Sequence, residues 1–431
     1  MEKYLNSKIQ NKKIGILGFG REGKSTLNTL LKLGGYASLT VIDKRDVRNE
    51  VPNSVSCIFG EAYLEDLDEF DLIFKTPGVV LPKDVNDYRC EFTSETEVFM
   101  ECFRKQIVGI TGTKGKSTTS SLLFHTLKLA KKDVLFAGNI GIPVFEIADQ
   151  VKSDTIIVLE LSCHQLEYIK VSPHIAILLN IYEDHLDHYG TREKYGLAKK
   201  NIYKFQSSED VLFTTRETIN EWGLPDSKLI CVDECSPVID AFLEDMGAKL
   251  RGRHNILNAT FVFEAAKLFD VERDKCVEAI NTFEPLPHRL QFIGRFNGVD
   301  YYDDSISTTV KSAISAVESI SNAKVLLIGG MERNIEYTEL AKYLSTSRLN
   351  YLICMYESGK RFFELYKEYG EKESAPKALL VNDLTEAVKK AKEVAGENEA
   401  VLLSPAAASY GYFKNFEERG DVYCALVKKS K

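Results

Sequence analysis

The chain has 431 residues, 44% of them hydrophobic and 27% charged, with a formal net charge of -8. That length exceeds what one hydrophobic core usually serves, and the composition excludes a disordered or fibrous chain. The acidic balance excludes nucleic acid as the expected partner, because phosphate backbones demand a basic face.

Residues Met1 to Asn11 are polar and charged, so no signal-peptide core is expected there, and no apolar run approaches a membrane span. The nine cysteines are scattered without a C-x-x-C pair, which suits a reducing compartment; a cytoplasmic protein without membrane insertion is expected. Cys231 and Cys235 are the one close pair and read as structural, and the pairs Lys131-Lys132 and Lys389-Lys390 read as solvated helix ends.

The first segment alternates strand and helix: an apolar run at Lys13 to Leu17, a Gly-rich turn, a helical stretch to Leu33, then Leu39 to Ile42 and Asp71 to Phe74, closed by Thr76-Pro77-Gly78. The second restarts at Gln106 to Ile110, continues into a helix from about Ser117 to Lys131, and carries strands at Asp133 to Phe136, Thr155 to Leu159 and Ile175 to Leu179. A third follows the Pro285-Leu286-Pro287 breaker, with strands at Val325 to Ile328, Tyr351 to Met355 and Ala400 to Ser404 and a helix at Leu384 to Val394. The expected fold is α/β with three domains, 1–93, 94–288 and 289–431: Rossmann-like, P-loop ATPase-like with a parallel sheet, and Rossmann-like again. Each holds a strand followed by a Gly turn, so an interdomain cleft is the expected active site.

Gly18-Phe19-Gly20-Arg21-Glu22-Gly23-Lys24-Ser25 satisfies both G-x-G-x-x-G and the strict G-x-x-x-x-G-K-[ST] pattern. Asp43 closes the second strand, where a dinucleotide fold places the acid that meets a ribose or base. The first domain therefore reads as a binder of a nucleotide portion; a strand-to-helix turn that binds nothing meets the same pattern.

The second loop, Gly112-Thr113-Lys114-Gly115-Lys116-Ser117-Thr118, fails the strict pattern because Ile110 takes the place of its first Gly. Its chemistry is the better supported. Two glycines let backbone N–H groups turn toward phosphates, Lys116 brings a point charge, and Ser117 opens a helix whose dipole favours anions and whose hydroxyl suits Mg²⁺. Glu160 ends an apolar strand, where an acid can hold a metal. Asn180 to His188 packs acids and two histidines behind another strand; His185 reads as a metal or phosphate group and His188 as part of a polar loop. Zinc is not expected, since no cysteine sits at ligand spacing and hard oxygen donors predominate.

With the phosphate loop, the motifs Gly138-Asn139-Ile140-Gly141, Glu160 to Leu166, Asn180 to His188, His254 to Ala259, Leu286-Pro287-His288-Arg289, Leu403 to Ser409 and Phe413 to Gly420 stand in an order that resembles the Mur ligase family, over nearly the whole chain and closest to its D-glutamate-adding branch. The resemblance implies an ATP-dependent ligase that adds D-glutamate to UDP-N-acetylmuramoyl-L-alanine through an acyl phosphate, as a monomer, with two Mg²⁺ ions. It implies Lys116, Glu160, His185 and Lys199 as catalytic, with Ser117, Glu160, His185 and Lys199 at the metals and Lys199 carbamylated. Without the resemblance, Lys199 is a surface charge. ATP is expected on Gly112 to Thr118, Asn258, Arg289 and Asp304. The UDP substrate is expected on Gly18, Gly20, Arg21, Glu22, Asp43, Arg45, Thr76, Pro77, Gly78, Asn139, Ser162, Gln165 and His185, and D-glutamate on Thr308, Arg333, Ser409 and Phe416.

The chain departs from the family at three places. Asp304-Ser305-Ile306-Ser307-Thr308 replaces D-S-K-A-T, Arg333 stands where a lysine is usual, and Ser162-Cys163-His164-Gln165 replaces S-S-F-Q, with Cys163 read as a packing residue. Another amino-acid-adding ligase, of Mur or folylpolyglutamate-synthase-like type, and a catalytically silent nucleotide-binding regulator are the alternatives.

Overall fold

The computed structural model describes residues 1–232, 253–284, 287–333, 335–370 and 375–429. Cys235 and the Pro285-Leu286 part of the breaker lie outside the described residues. The described strands form three sheets.

The first sheet contains β1 (Lys13–Leu17), β2 (Ser38–Asp43), β3 (Ser56–Phe59), β4 (Leu72–Lys75) and β5 (Glu91–Thr93), in the order β3-β2-β1-β4-β5, all parallel. The order reverses beside β1, so the turns after β1 and β4 diverge and open a crevice at the carboxyl edge. Gly18, at φ 91, is required there: a Cβ on it would lie 2.0 Å from Thr76 Oγ1.

The second sheet contains β6 (Ile107–Thr111), β7 (Val134–Gly138), β8 (Ile156–Glu160), β9 (Ile175–Leu178), β10 (Val211–Thr214) and β11 (Lys228–Cys231), in the order β11-β10-β9-β6-β8-β7, again all parallel. β6 and β9 are buried at every position, the expected state of strands covered on both faces. β6 lies between β8 and β9, which pairs Ile110 with Glu160 and Thr111 with Leu178. The loop after β6 therefore starts beside the carboxylate that ends β8.

The third sheet contains β12 (Gln291–Phe296), β13 (Val299–Asp303), β14 (Ala323–Ile328), β15 (Tyr351–Cys354), β16 (Lys377–Leu380) and β17 (Ala400–Leu403), in the order β12-β13-β17-β14-β15-β16. It is parallel except for the β12–β13 hairpin at its edge. Leu326, Ile328 and Leu402 pack on one face and Val325, Leu327, Val401 and Leu403 on the other, so the centre of this sheet is apolar on both sides.

The first two sheets belong to one compact unit that runs through residue 283, with a shared core; the third belongs to a second unit that runs from residue 284. The helix expected from Ser117 spans Lys116–Leu129, and Lys131 turns away from it at φ 58. Lys389 and Lys390 do not mark a helix end. They sit inside the Leu384–Val394 helix, where Lys390 pairs with Glu393 one turn on, at 3.0 Å. All described cysteines are free, and no described helix is long and apolar enough to cross a membrane.

Candidate active site

The loop after β6 is held by the segment after β9. Thr113 N–H donates to Asn180 O (3.0 Å), Lys114 N–H to Asn180 Oδ1 (2.9 Å), and Tyr182 N–H to Thr113 Oγ1 (2.9 Å), so the segment after β9 fixes the loop's path. Tyr195 adds its hydroxyl to Thr113 Oγ1 at 3.0 Å. Gly115 is the N-cap of the Lys116–Leu129 helix at φ 86, without a side-chain cap, and a Cβ there would lie 2.5 Å from Asn258 Oδ1. Only glycine combines that left-handed turn with that close approach. The helix thus presents uncapped N–H groups behind Ser117 and Thr118, the arrangement that suits an anion.

Two lysines converge on this loop. Lys116 Nζ donates to Gly112 O (2.8 Å) and Thr113 O (3.1 Å), and Lys199 Nζ donates to the same Gly112 O (2.9 Å). Lys199 is 1% exposed, which overturns its surface reading. Its helix, Arg192–Lys204, turns it inward over the Tyr195 ring at 4.9 Å. Burial, then the Lys116 charge, lowers its pKa to about 7, so a substantial part of its amine is neutral at neutral pH.

Glu160 is equally buried, at 1% exposure. Its carboxylate accepts from Asn139 Nδ2 (2.7 Å) and from Ser120 Oγ (3.2 Å), a neutral amide and a neutral hydroxyl. A buried carboxyl group with neutral donors beside a helix start offers oxygens of the kind that a hard cation such as Mg²⁺ takes. His185 is exposed at φ 52, with its ring 6.1 Å from Tyr195. Asn258, on the Arg253–Ala266 helix, is oriented by a bond from its Nδ2 to Asn255 Oδ1 at 3.1 Å.

The crevice after β1 and β4 is a cleft of about 550 Å³. Gly18, Gly20, Arg21, Glu22, Asp43, Arg45, Thr76, Pro77, Gly78, Asn139 and Gln165 all line it. Ser162 and His185 do not. The Ser162 hydroxyl instead caps the Cys163–Leu166 turn in a reciprocal box with Gln165. That box fixes the Gln165 amide, whose Nε2 donates to Glu22 Oε1 at 2.7 Å. Glu22 Oε2 is buried without a hydrogen-bond partner, and burial raises the Glu22 pKa to about 7. Asp43 clamps the glycine turn, accepting Phe19 N–H at 2.7 Å and Arg45 N–H at 2.8 Å.

In the second unit, Asp304 follows β13 and is buried, accepting from Leu290 N–H (3.1 Å), Ser404 Oγ (2.8 Å) and Ser307 Oγ. Burial raises its pKa to about 6, while the Arg289 charge opposes that rise. A bridge between Met331 and Ala408 sets the segments of Arg333 and Ser409 side by side, and the Arg333 guanidinium lies 5.5 Å from the Tyr410 ring centroid. Thr308 is exposed; Phe416 opens the Phe416–Lys428 helix, and its carbonyl accepts from Ser305 Oγ at 2.8 Å.

A model of the Mur ligase middle domain matches residues 110–222, and one of the Mur ligase glutamate ligase domain matches residues 288–407. The UDP-N-acetylmuramoylalanine--D-glutamate ligase of Clostridium kluyveri is 32% identical over 456 residues, covering 97% of each chain. That of Acetivibrio thermocellus is 31% identical, with 97% of each chain covered. The chain belongs to the Mur ligase family. Solved members share its fold: MurF ligase from Thermotoga maritima in complex with ADP (TM-score 0.57, 16% identity, 98% of this chain and 95% of that one) and UDP-N-acetylmuramate-alanine ligase MurC from Thermotoga maritima (0.56, 19%, 97% and 100%).

Within this Mur ligase chain the middle-domain match covers the Gly112 loop, Glu160, His185 and Lys199, and the glutamate-ligase match covers Arg289, Asp304, Thr308 and Arg333. Several residues that build these places escape a reading of the sequence. Lys44 and Tyr63 line the first cleft, and Ser120 bonds the Glu160 carboxylate. Arg419 is the largest omission. Wholly buried, it donates to Ser305 Oγ (2.9 Å), Ser305 O (2.7 Å) and Ala407 O (3.0 Å), tying the turn after β13 and the turn after β17 to the Phe416–Lys428 helix. An F-E-E-R-G string at a helix start offers no sign of that role, because two of its three partners are backbone carbonyls and the third is a serine hydroxyl in a distant segment.

Proposed function

We propose that this chain joins D-glutamate to the carboxylate of UDP-N-acetylmuramoylalanine at the expense of ATP, with the work divided among residues 1–93 for the UDP end, 94–288 for ATP and 289–431 for the amino acid. The observation that carries this reading is the near-complete, two-way coverage of relatives bearing that activity in their name. Half-buried Lys116 and the buried Lys199 and Glu160, gathered around the Gly112 loop, give it a mechanism.

A carboxylate is a poor acyl donor. One of its oxygens attacks the γ-phosphorus of ATP, ADP leaves, and the carboxylate becomes an acyl phosphate; the amine of D-glutamate then attacks the carbonyl carbon, phosphate leaves, and the nitrogen loses a proton to give the amide. Gly112 to Thr118 holds the phosphate chain with backbone N–H groups, and Lys116 neutralises charge on the transferring group. Bound Mg²⁺ supplies further neutralisation of the phosphate oxygens, with Ser117 and Glu160 holding one ion and His185 and a carbamylated Lys199 the other. The low pKa of Lys199 supports carbamylation, which requires the neutral amine as nucleophile toward carbon dioxide. Asn258, Arg289 and Asp304 position the nucleotide.

At the first cleft, Arg21, Lys44 and Arg45 supply the positive charge that a diphosphate requires, and Tyr63 a flat ring for the base. Asn139 joins this cleft to the reaction centre, since it lines the cleft and also holds Glu160. Ser162 acts at one remove, by fixing Gln165. Arg333, Thr308, Ser409 and Phe416 hold D-glutamate, with the arginine on a carboxylate.

The test is phosphate release by purified protein with ATP, Mg²⁺, UDP-N-acetylmuramoyl-L-alanine and each of a panel of amino acids. D-glutamate is expected to give release well above the rest. Release with a different amino acid would refute the substrate assignment, and background release with every one would refute the enzyme.

A further inference from the structure

The short helical turn Cys163–Leu166 and the residue after it place His164 and Glu167 three positions apart, a spacing that faces one side of a turn. A second turn, Leu186–Tyr189, brings His188 against them. This half-buried histidine is not part of an open polar loop: its Nε2 lies 3.0 Å and 3.2 Å from the two Glu167 carboxylate oxygens, with the side chains 10% and 15% exposed. The His164 and His188 ring centroids are 4.4 Å apart. A nitrogen of each ring and an oxygen of Glu167 all lie within 4.8 Å of one another. Ligand atoms about 2.0–2.1 Å from a tetrahedral zinc are themselves about 3.3 Å apart, so these three need only small rotations to share an ion.

Their mutual hydrogen bonding accounts for His188 and Glu167 but not for His164. Its neighbours are two other imidazoles, those of His188 and of His185 at 5.0 Å, and the Tyr189 hydroxyl 3.3 Å from its Nδ1. Nothing in the ligase mechanism uses His164, Glu167 or His188.

We propose that His164, Glu167 and His188 form a binding site for a borderline divalent transition metal, zinc foremost, apart from the oxygen donors at Ser117 and Glu160. Two imidazoles and a carboxylate are a favourable donor set for Zn²⁺ and leave a fourth position for water. The ion clips the 163–167 turn to the 186–189 turn, and so steadies the segment that begins with His185. The expectation against zinc rests on cysteine spacing and oxygen donors, whereas the ligands proposed here come from segments distant in sequence and none need be cysteine. Cys163, His164 and His185 form a second group with ligand atoms within 4.8 Å, but it needs an exposed histidine, whereas Glu167 and His188 already hold each other.

The test strips the full-length protein with a chelator and titrates it with Co²⁺, then Zn²⁺, in excess Mg²⁺. The expected result is about one equivalent of Co²⁺ with the strong visible bands of a four- or five-coordinate ion, no thiolate charge-transfer band, displacement by Zn²⁺, and a higher thermal midpoint with Zn²⁺ than without. His164→Phe keeps a flat ring against Tyr189 and should lose both the bands and the zinc-dependent midpoint shift, with its metal-free midpoint near that of the parent. His188→Gln serves as the second variant and should lose them too. Absence of Co²⁺ binding, binding undiminished in either folded variant, or a thiolate band that places the ion on Cys163 would each overturn the assignment.

Discussion

Lys199 should make the protein less stable than it would be without it. An amine that is 1% exposed and whose pKa falls from 10.5 to about 7 must be folded either neutral or as a poorly solvated cation. The unfolded chain binds a proton at this lysine between pH 7 and 10.5 that the folded chain does not, so stability rises with pH across that window. At about 1.4 kcal/mol per pH unit, the folded state is penalised by about 4 kcal/mol at pH 7 and about 2 kcal/mol at pH 9. Lys199→Met preserves the apolar stem and removes the amine. It forgoes the bond to Gly112 O, worth about 1 kcal/mol. The variant should therefore be more stable than the parent by about 2–3 kcal/mol at pH 7 and by about 1 kcal/mol at pH 9, while losing turnover. Urea unfolding of both proteins at the two pH values, in buffer freed of carbon dioxide so that the amine stays unmodified, measures the difference. A variant less stable than the parent at pH 7, or an advantage that grows as pH rises, would refute the burial argument.

Lys116→Ala should lower kcat by about 10²–10³-fold, as does removal of one preorganised donor to a developing charge, with binding of the UDP substrate, measured by calorimetry, largely intact. Gly115→Ala places a Cβ 2.5 Å from Asn258 Oδ1 at φ 86; it should destabilise the loop by about 1–2 kcal/mol or more and raise the KM for ATP above all. Arg419→Met leaves Ser305 O and Ala407 O without their donor; a loss of about 3–5 kcal/mol in unfolding free energy is expected, with the KM for D-glutamate rising more than that for ATP. Glu22, with a pKa raised to about 7, ionises in the first cleft, where the UDP end is proposed to bind, as pH rises through neutrality. The KM for the UDP substrate should therefore increase from pH 6 to pH 8, and Glu22→Gln should flatten that profile.

What the sequence makes legible follows from which residues admit only one physical explanation. The strands β1, β6, β8 and β9 and the two glycine turns are readable because continuous apolar runs end in residues that bring backbone close to something. The edge strands β3, β5, β11 and β16 are short and partly exposed, and β12 pairs antiparallel in a hairpin that the parallel βαβ rhythm does not announce. Site residues that act through backbone groups are hidden for the same reason as Arg419: a carbonyl partner more than a hundred positions away leaves no pattern. Lys199 is hidden differently, since Ala198-Lys199-Lys200 has the look of a solvated face, yet one lysine lies buried over the Tyr195 ring. Ser162 shows the converse. A hydroxyl in a recognisable motif is occupied in capping a turn, and its neighbour Gln165 is the one that lines the cleft.

Activation of the muramoyl-alanine carboxylate as an acyl phosphate carries one carboxylate oxygen into phosphate. It is tested most directly with UDP-N-acetylmuramoyl-L-alanine carrying heavy oxygen in its terminal carboxylate, turned over with ATP, Mg²⁺ and D-glutamate, with the inorganic phosphate and the nucleotide product then read by mass spectrometry. Heavy oxygen is expected in inorganic phosphate, with ADP as the nucleotide product. Unlabelled phosphate alongside amide formation, or label recovered in AMP, would contradict acyl-phosphate activation.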